Sequence, residues 1–222
     1  MHVEVPKSKF SSFKEFAGEY AMIVVSIGTA LALEHGVQSW HHKHEAELAA
    51  GRMESELRAN LAEIEKVGKH NLEQSKQLNM LSEALLKDLQ AKVPDQVAMQ
   101  HFHAQSKDDF SINLHTATLS RDAWDVAVAN QSASWLDAAT LQRYSSAYAA
   151  IRDAQASSNT GLIFMNGPDM MRTMSDMQMG TITARNLYYS MCQMLASYAV
   201  TNQNLRSLKT ELNKALDKKA LS

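Results

Sequence analysis

The sequence is poor in the residues that form turns. Its 222 residues contain eight Gly and three Pro, about 5% together against an average of about 12%. Few turns over this length leave room for only a few elements, and those must be long. A β-rich fold of many short strands is therefore disfavoured. The length suffices for one large domain or two small ones with a buried core.

Cysteine and excess positive charge are also scarce. Cys192 is the one cysteine, so an intrachain disulfide, a CxxC redox pair and a cysteine-rich zinc site are excluded. The chain has 22 Lys and Arg against 24 Asp and Glu, for a net charge of -2. With no basic excess to neutralise phosphates, we expect no nucleic-acid partner.

The sequence lacks the usual catalytic motifs. It contains no glycine-rich phosphate loop, no G-x-S-x-G elbow and no H-E-x-x-H pair. His44-Glu45 has no second histidine at the required spacing, and Asp108-Asp109 has no spaced partners for calcium. Cys192 follows Met191 in a helical pattern and is interpreted as a packed thiol. We therefore expect neither an enzyme nor a cofactor.

The longest uncharged stretch lies near the N-terminus. Fourteen residues from Tyr20 to Leu33 carry no charge and are bracketed by Glu19 and Glu34. As a helix, Phe16 to Trp40 would span roughly 36 Å, enough for the hydrocarbon and part of each headgroup layer. We therefore predict a tail at 1–15, a transmembrane anchor at 16–40 and a helical bundle at 41–222. The predicted anchor residues, several of them aromatic as at lipid interfaces, are Phe16, Glu19, Tyr20, Ile23, Ile27, Leu31 and Trp40.

Other interpretations of this segment stay open. A secretory signal peptide has an apolar stretch of similar length, although this one continues into a helical pattern without a small-residue cleavage site. A core helix of a soluble cytosolic bundle is also compatible with fourteen uncharged residues. For an anchor, Lys7, Lys9 and Lys14 before the segment outnumber Lys43 and Arg52 after it. This bias predicts a single-pass inner (plasma) membrane protein with most of its chain extracytoplasmic, in the periplasm.

The rest of the sequence has helical periodicity. One amphipathic helix continues from the anchor to about Gly68, a second covers about 71–91 and Pro94 ends it. The region 93–119 is interpreted as a short helix plus a loop. Ser120 is a predicted N-cap for a helix over 121–131, and Asp137 caps the next. Residues 157–161 are expected to loosen the chain, and Pro168 suits a first helical turn. The predicted fold is all-α, an N-terminal transmembrane helix continuing into a bundle of long helices.

The last predicted helix carries a coiled-coil-like seam from Met170 to Ala215. Apolar residues recur there at alternating three- and four-residue steps over about six heptads. A seam of this length predicts packing against another long helix, either the one leaving the membrane or a second subunit. A homo-oligomer or a protein partner is thus expected, beside the lipid bilayer. The central seam residues are Leu187, Met191, Met194, Tyr198, Leu205, Leu208 and Leu212.

Two stretches resemble a loose group of uncharacterised bacterial single-pass membrane proteins. The first comprises Gly18-Glu19, Ile27-Gly28, Leu31-Ala32 and Trp40; the second runs from Arg121-Asp122-Ala123-Trp124, with Ala127 and Ala129, through Leu136-Asp137 to Tyr144 and Tyr148. The resemblance covers about a third of the chain, and its motifs are hydrophobic. His41-His42-Lys43-His44 after the tryptophan departs from the pattern. The resemblance implies a membrane-anchored helical domain and no particular substrate.

Two clusters have metal-ligand chemistry. His41 and His44 share a helix face, a usable pair for Zn, Ni or Cu(II), and His101 or His103 could complete it only through folding. Met170, Met174 and Met177 would also share a face, and thioethers bind Cu(I). The alternatives, which we favour, are an interfacial polar collar for the histidines and an adaptable core for the methionines.

Our leading hypothesis is a membrane-anchored interaction or scaffold module. The rival hypothesis is a sensor or carrier of a small ligand or metal.

Overall fold

The fold is all-α, as predicted. The computed structural model describes the backbone of residues 13–106, 114–165 and 167–217, and the side chains of 16–106, 114–157 and 167–217. These residues contain no β-strand. Most of the predicted tail and the pair Asp108-Asp109 lie outside them. The helices are α1 (Phe13–Gln90), α2 (Asp95–Ser106), α3 (Asp122–Ala129), a 3-10 helix (Ser132–Trp135), α4 (Ala138–Met165), α5 (Pro168–Gln178) and α6 (Ala184–Leu216).

α1 is one uninterrupted helix of 78 residues, about 117 Å long at 1.5 Å per residue. The predicted end near Gly68 and the predicted second helix at 71–91 are wrong. A glycine inside a helix costs only about 1 kcal/mol. Val67 and Asn71, on either side of it, are both buried in the bundle. Tertiary packing of these neighbours therefore stabilises the helix across Gly68.

The turns after α1 were partly predictable. Lys92 has a positive φ of 56°, and Pro94 ends the segment before α2. The region 93–119 contains the predicted short helix, α2, and 114–121 is irregular. The predicted helix over 121–131 is shorter, because Gln131 adopts φ 64° and the chain continues as the 3-10 helix. Ser120 precedes the N-cap residue by one position, and its Oγ accepts a hydrogen bond from the Asp122 amide at 3.2 Å.

α4 begins as predicted and ends later. The Asp137 side chain caps it by accepting a hydrogen bond from the Thr140 amide at 2.9 Å. The predicted loosening at 157–161 is wrong, since α4 continues to Met165. The weak helix formers there include no proline, and weak propensity alone does not break a helix. Pro168 lies in the first turn of α5, as predicted.

The seam does not lie on one helix. The prediction of a single element from Met170 to Ala215 is wrong, because the chain breaks between α5 and α6. Gly180 has φ 67° there, a conformation in which glycine carries no Cβ penalty. The Thr183 hydroxyl then accepts a hydrogen bond from the Asn186 amide at 3.2 Å and begins α6.

α6 lies antiparallel along α1, and this is the most extensive helix pairing. Near one end, Lys209 and Glu65 form an ion pair at 2.8 Å. At the other end, the Ala184 amide donates to the Asp95 carboxylate of α2 at 2.8 Å. All seven central seam residues are buried. Of the two alternatives left open for the seam, the structure shows packing along α1.

Two hydrophobic clusters lie one after the other along α1. The first joins α1 from Ala49 to Val67 with α3, the 3-10 helix, α4 and the last third of α6. The second joins Leu78, Leu81 and Leu85 with α2, α5 and the first half of α6. The earliest buried residue of α1 is Ala46. The bundle thus begins six residues after Trp40.

Candidate functional site

The first part of α1 is an unburied apolar helix. Every described side chain from Phe16 to His41 is exposed. Ile23, Ile27 and Leu31 are 57%, 56% and 60% exposed. This is the one helix in the described residues that is long and apolar enough to cross a membrane by length and composition. The remaining predicted anchor residues, Phe16, Glu19, Tyr20 and Trp40, are exposed on the same segment.

Polar groups within this segment find partners on their own helix. The Ser26 hydroxyl donates to the Met22 carbonyl, and the Thr29 hydroxyl donates to the Val25 carbonyl, both at 2.8 Å. Near the bundle, the Gln38 amide donates to the Glu34 carboxylate at 3.2 Å. Hydroxyl bonds of this kind give Ser26 and Thr29 a partner within α1 itself.

The histidines after Trp40 diverge around α1. Trp40 stacks with His44, with ring centroids 5.7 Å apart, while His42 stacks with Trp135 at 4.3 Å. No group of three or more His, Cys, Asp or Glu side chains converges in the described part of the chain. His41 and His44 therefore lack a third ligand from that set within it.

The two histidines that could have completed that site lie far from it. His101 pairs with Asp88 at 2.9 Å. His103 is on the same helix, α2, and contacts Phe102 edge-on. Asp88 is 44 residues beyond His44 on α1, or about 66 Å along the axis. The hypothesis that His101 or His103 joins His41 and His44 is therefore wrong.

The methionines of α5 are divided between core and solvent. Met170 is buried in the second cluster, and Met177 packs against that cluster partly buried. Met174 is 52% exposed. Since Met170 is committed to packing, the described geometry supports the adaptable core more than a thioether site.

A groove opens where α1 enters the bundle. Its volume is about 1060 Å³, and it lies between α1 and the connection from the 3-10 helix to α4. Hydrogen bonding to Thr140 lowers the pKa of Asp137 on one wall. Burial raises the pKa of Tyr144 on the same wall. The α1 wall contributes His35, Gln38, Ser39, His42, Lys43, Ala46, Glu47, Ala50, Gly51 and Glu54.

A polar network inside the first cluster could not be predicted from the sequence. Tyr148 donates to the Glu56 carboxylate at 2.7 Å, and the Ser120 hydroxyl and the Ala123 amide also donate to it. Burial and this hydrogen bond raise the pKa of Tyr148. Because the Glu56 carboxylate is occupied by protein donors, the arrangement positions helices and offers no vacant acid or base.

Two asparagines attach the segment before α3 to α1. Asn60 donates to the Ser120 carbonyl at 2.8 Å and accepts from its amide at 2.9 Å. Asn71 forms the same pair of bonds with His115, at 2.8 and 3.0 Å. Both asparagines are buried. They provide hydrogen-bond partners for the backbone N–H and C=O groups of an irregular segment, and such groups are costly to bury without partners.

A smaller concavity lies at the other end of the bundle. It has a volume of about 410 Å³ and includes the His101–Asp88 pair and Lys87.

Cys192 is a free, partly buried thiol on α6, and its hydrogen bond with Tyr188 raises the pKa of that hydroxyl. These positions fit the predicted packed thiol.

The chain matches no protein-family model, no curated protein and no solved structure.

Proposed function

We propose that this protein is a single-pass membrane protein of the bacterial inner membrane, whose helical bundle outside the cytoplasm acts as an interaction or scaffold module. The observation that carries the proposal is the continuity of α1. Its unburied apolar segment and its bundle-forming segment are one helix of 78 residues. The proposed role is not enzymatic.

The exposed apolar surface favours a membrane over water. Soluble proteins rarely leave large contiguous apolar patches uncovered, and each buried aliphatic side chain contributes about 1.5–3 kcal/mol. From Tyr20 to Leu33 this segment carries no charge over fourteen residues. A soluble cytosolic bundle would leave all of that surface in water.

A rigid helix supports a scaffold role. From Trp40 to Gln90, α1 extends about 75 Å at 1.5 Å per residue, and both clusters lie along it. Such a helix holds a bundle at fixed distance and orientation from the bilayer. Confinement to a membrane plane raises effective concentration, so a weak contact suffices for a second copy or a protein partner.

A sensor or carrier of a small ligand is the second candidate. The groove of about 1060 Å³ favours it, because its walls combine charges of both signs with apolar surface. A ligand pocket commonly combines apolar walls with a few polar groups.

The location is tested by placing charge inside the apolar segment. In Ile23→Arg with Ile27→Arg, each arginine costs about 2.5–3.5 kcal/mol at the centre of a span. The double variant should leave the membrane pellet during alkaline carbonate extraction, whereas the parent chain remains. The matched control is Val126→Arg with Val200→Arg, which alters two exposed valines of the bundle and should stay in the pellet. A parent chain recovered in the supernatant contradicts the location.

The role is tested by purification from detergent-solubilised membranes, with mass spectrometry for proteins and elemental analysis for metals. A second copy or one stoichiometric protein partner supports the scaffold. A stoichiometric small molecule or metal without a protein partner contradicts it and favours the second candidate.

A further inference from the structure

Trp135 lies where α1 leaves the apolar segment. Its ring stacks on His42 with centroids 4.3 Å apart and planes within 12° of each other. The chain has three tryptophans. Of the other two, Trp40 ends the apolar segment and Trp124 stacks on Tyr148 in the first cluster.

The position of His42 sets the height of Trp135. His42 follows Trp40 by two residues, about 3 Å along the axis. Because the Trp135 ring contacts the His42 ring at 4.3 Å, Trp135 lies beside the part of α1 that directly follows Trp40. Two residues also turn the helix by about 200°. The two tryptophans therefore lie on opposite sides of α1 at similar height.

The turn that carries Trp135 is held in place by its own hydrogen bonds. Ser132 is buried, and both its amide and its hydroxyl donate to the Asn130 side chain, at 3.0 and 2.7 Å. Asn130, Gln131 and Ser134 are exposed. The turn thus combines exposed polar groups with one half-buried indole ring, a combination suited to a membrane–water interface.

We propose that the turn from 130 to 137 rests in the headgroup layer of a phospholipid bilayer, with Trp135 as a second interfacial anchor opposite Trp40. This inference rests on the proposed membrane location. Lys43, Glu47 and Asp137 border the groove beside the ring, and charges of both signs suit a zwitterionic surface. Two tryptophans on opposite sides of α1 also restrict its tilt, since interfacial aromatic residues help to set tilt.

The test uses proteins that each retain one tryptophan, the other two being replaced by phenylalanine. They are reconstituted in phosphatidylcholine vesicles that carry a nitroxide quencher on the headgroup or near the end of an acyl chain. The Trp135 protein should be quenched by the headgroup nitroxide to the same extent as the Trp40 protein, and less by the acyl-chain nitroxide. The Trp124 protein is the matched control and should be quenched by neither.

The outcomes separate this proposal from the membrane location. If Trp40 is quenched and Trp135 responds like Trp124, the headgroup contact is wrong while the anchor stands. If Trp40 is not quenched either, both proposals fail.

A second measurement leaves every tryptophan in place. In the full chain with Cys192→Ser, an environment-sensitive fluorophore is attached at Ser134→Cys, in the turn, or at Ser146→Cys, an exposed position of α4. The emission maximum of the Ser134 label should move to shorter wavelength when the protein is transferred from detergent containing a soluble headgroup analogue into vesicles. The emission maximum of the Ser146 label should not move. Equal shifts at both positions, or none at either, overturn the proposal.

Discussion

At the scale of single residues, Glu56 connects three parts of the first cluster. It accepts hydrogen bonds from Tyr148 on α4, from Ser120 before α3 and from the Ala123 amide inside α3. In the sequence, Glu56 is one of several charged residues between the apolar positions of a helical pattern, and its partners are 64 to 92 residues away. No local sequence pattern indicates such a contact, so the network could not be predicted.

Replacing Glu56 with alanine should lower the free energy of unfolding by about 3 kcal/mol, because buried donors lose their acceptor. The control is Glu65→Ala on the same helix. Glu65 pairs with Lys209 at an exposed position, and we expect a change below about 0.5 kcal/mol. Urea unfolding followed by circular dichroism gives both values. Equal effects of the two substitutions would show that Glu56 does not organise the cluster.

Tyr148 predicts a loss of stability in alkaline solution. Burial and the hydrogen bond to Glu56 raise its pKa above the ordinary value of 10.0. Above pH 10, the unfolded chain releases the phenolic proton while the folded chain retains it. Stability is therefore complete below pH 10 and falls as pH rises, by up to about 1.4 kcal/mol per pH unit.

The free energy of unfolding, measured with urea between about pH 8 and about pH 11, should fall less steeply with rising pH for Tyr148→Phe than for the parent chain. Tyr189→Phe removes an exposed tyrosine and should leave the slope unchanged. An unaltered slope in Tyr148→Phe would contradict the assignment.

At the scale of elements, periodicity predicted the faces of helices better than their ends. The seam residues Leu187 to Leu212 are buried as predicted, because a core-facing stripe repeats regularly. The positions of the helix ends depended on tertiary contacts and on backbone conformation. Gly68 lies within a helix that tertiary contacts stabilise, whereas Gly180 adopts φ 67° and separates α5 from α6. The helical pattern does not separate the two glycines, whereas the structure distinguishes them by the φ of Gly180 and by the buried residues Val67 and Asn71 near Gly68.

The intramolecular seam predicts unfolding when charge is placed in it. Leu205 and Leu212 are 8% and 0% exposed in the first cluster, so Leu205→Asp with Leu212→Asp buries two unpaired carboxylates. We expect loss of the helical circular-dichroism signal. The control, Gln203→Asp with Thr210→Asp, has the same spacing on the exposed face of α6 and should remain folded. A folded double Leu variant that dissociates into monomers would instead make the seam an association surface.

At the scale of the whole molecule, the apolar segment and the bundle are separable. The buried residues of α1 begin at Ala46, and neither cluster includes a residue before Ala49. The sequence predicted this division from one uncharged stretch and the amphipathic pattern after it. It could not predict the turn beside His42 or the groove, because both are formed by residues about 90 positions apart.

Removing residues 1–40 should therefore release a soluble remainder with a cooperative thermal transition and its helical signal intact. The deletion removes no residue of either core, and the remaining chain is long enough to bury one. Thermal unfolding monitored by circular dichroism at the helical minimum provides the measurement. A remainder that aggregates or lacks a cooperative transition would show that the first forty residues take part in folding.

The central claim is that the middle of residues 16–40 lies in hydrocarbon, and thiol accessibility tests it most directly. In the full chain with Cys192→Ser, a cysteine replaces Ile27 or, as control, the exposed Val200 of α6. Open membrane fragments are treated with a charged maleimide before and after denaturing detergent. The account predicts that Val200→Cys reacts at once and Ile27→Cys reacts only after detergent. Reaction of Ile27→Cys in intact fragments as fast as Val200→Cys would contradict it.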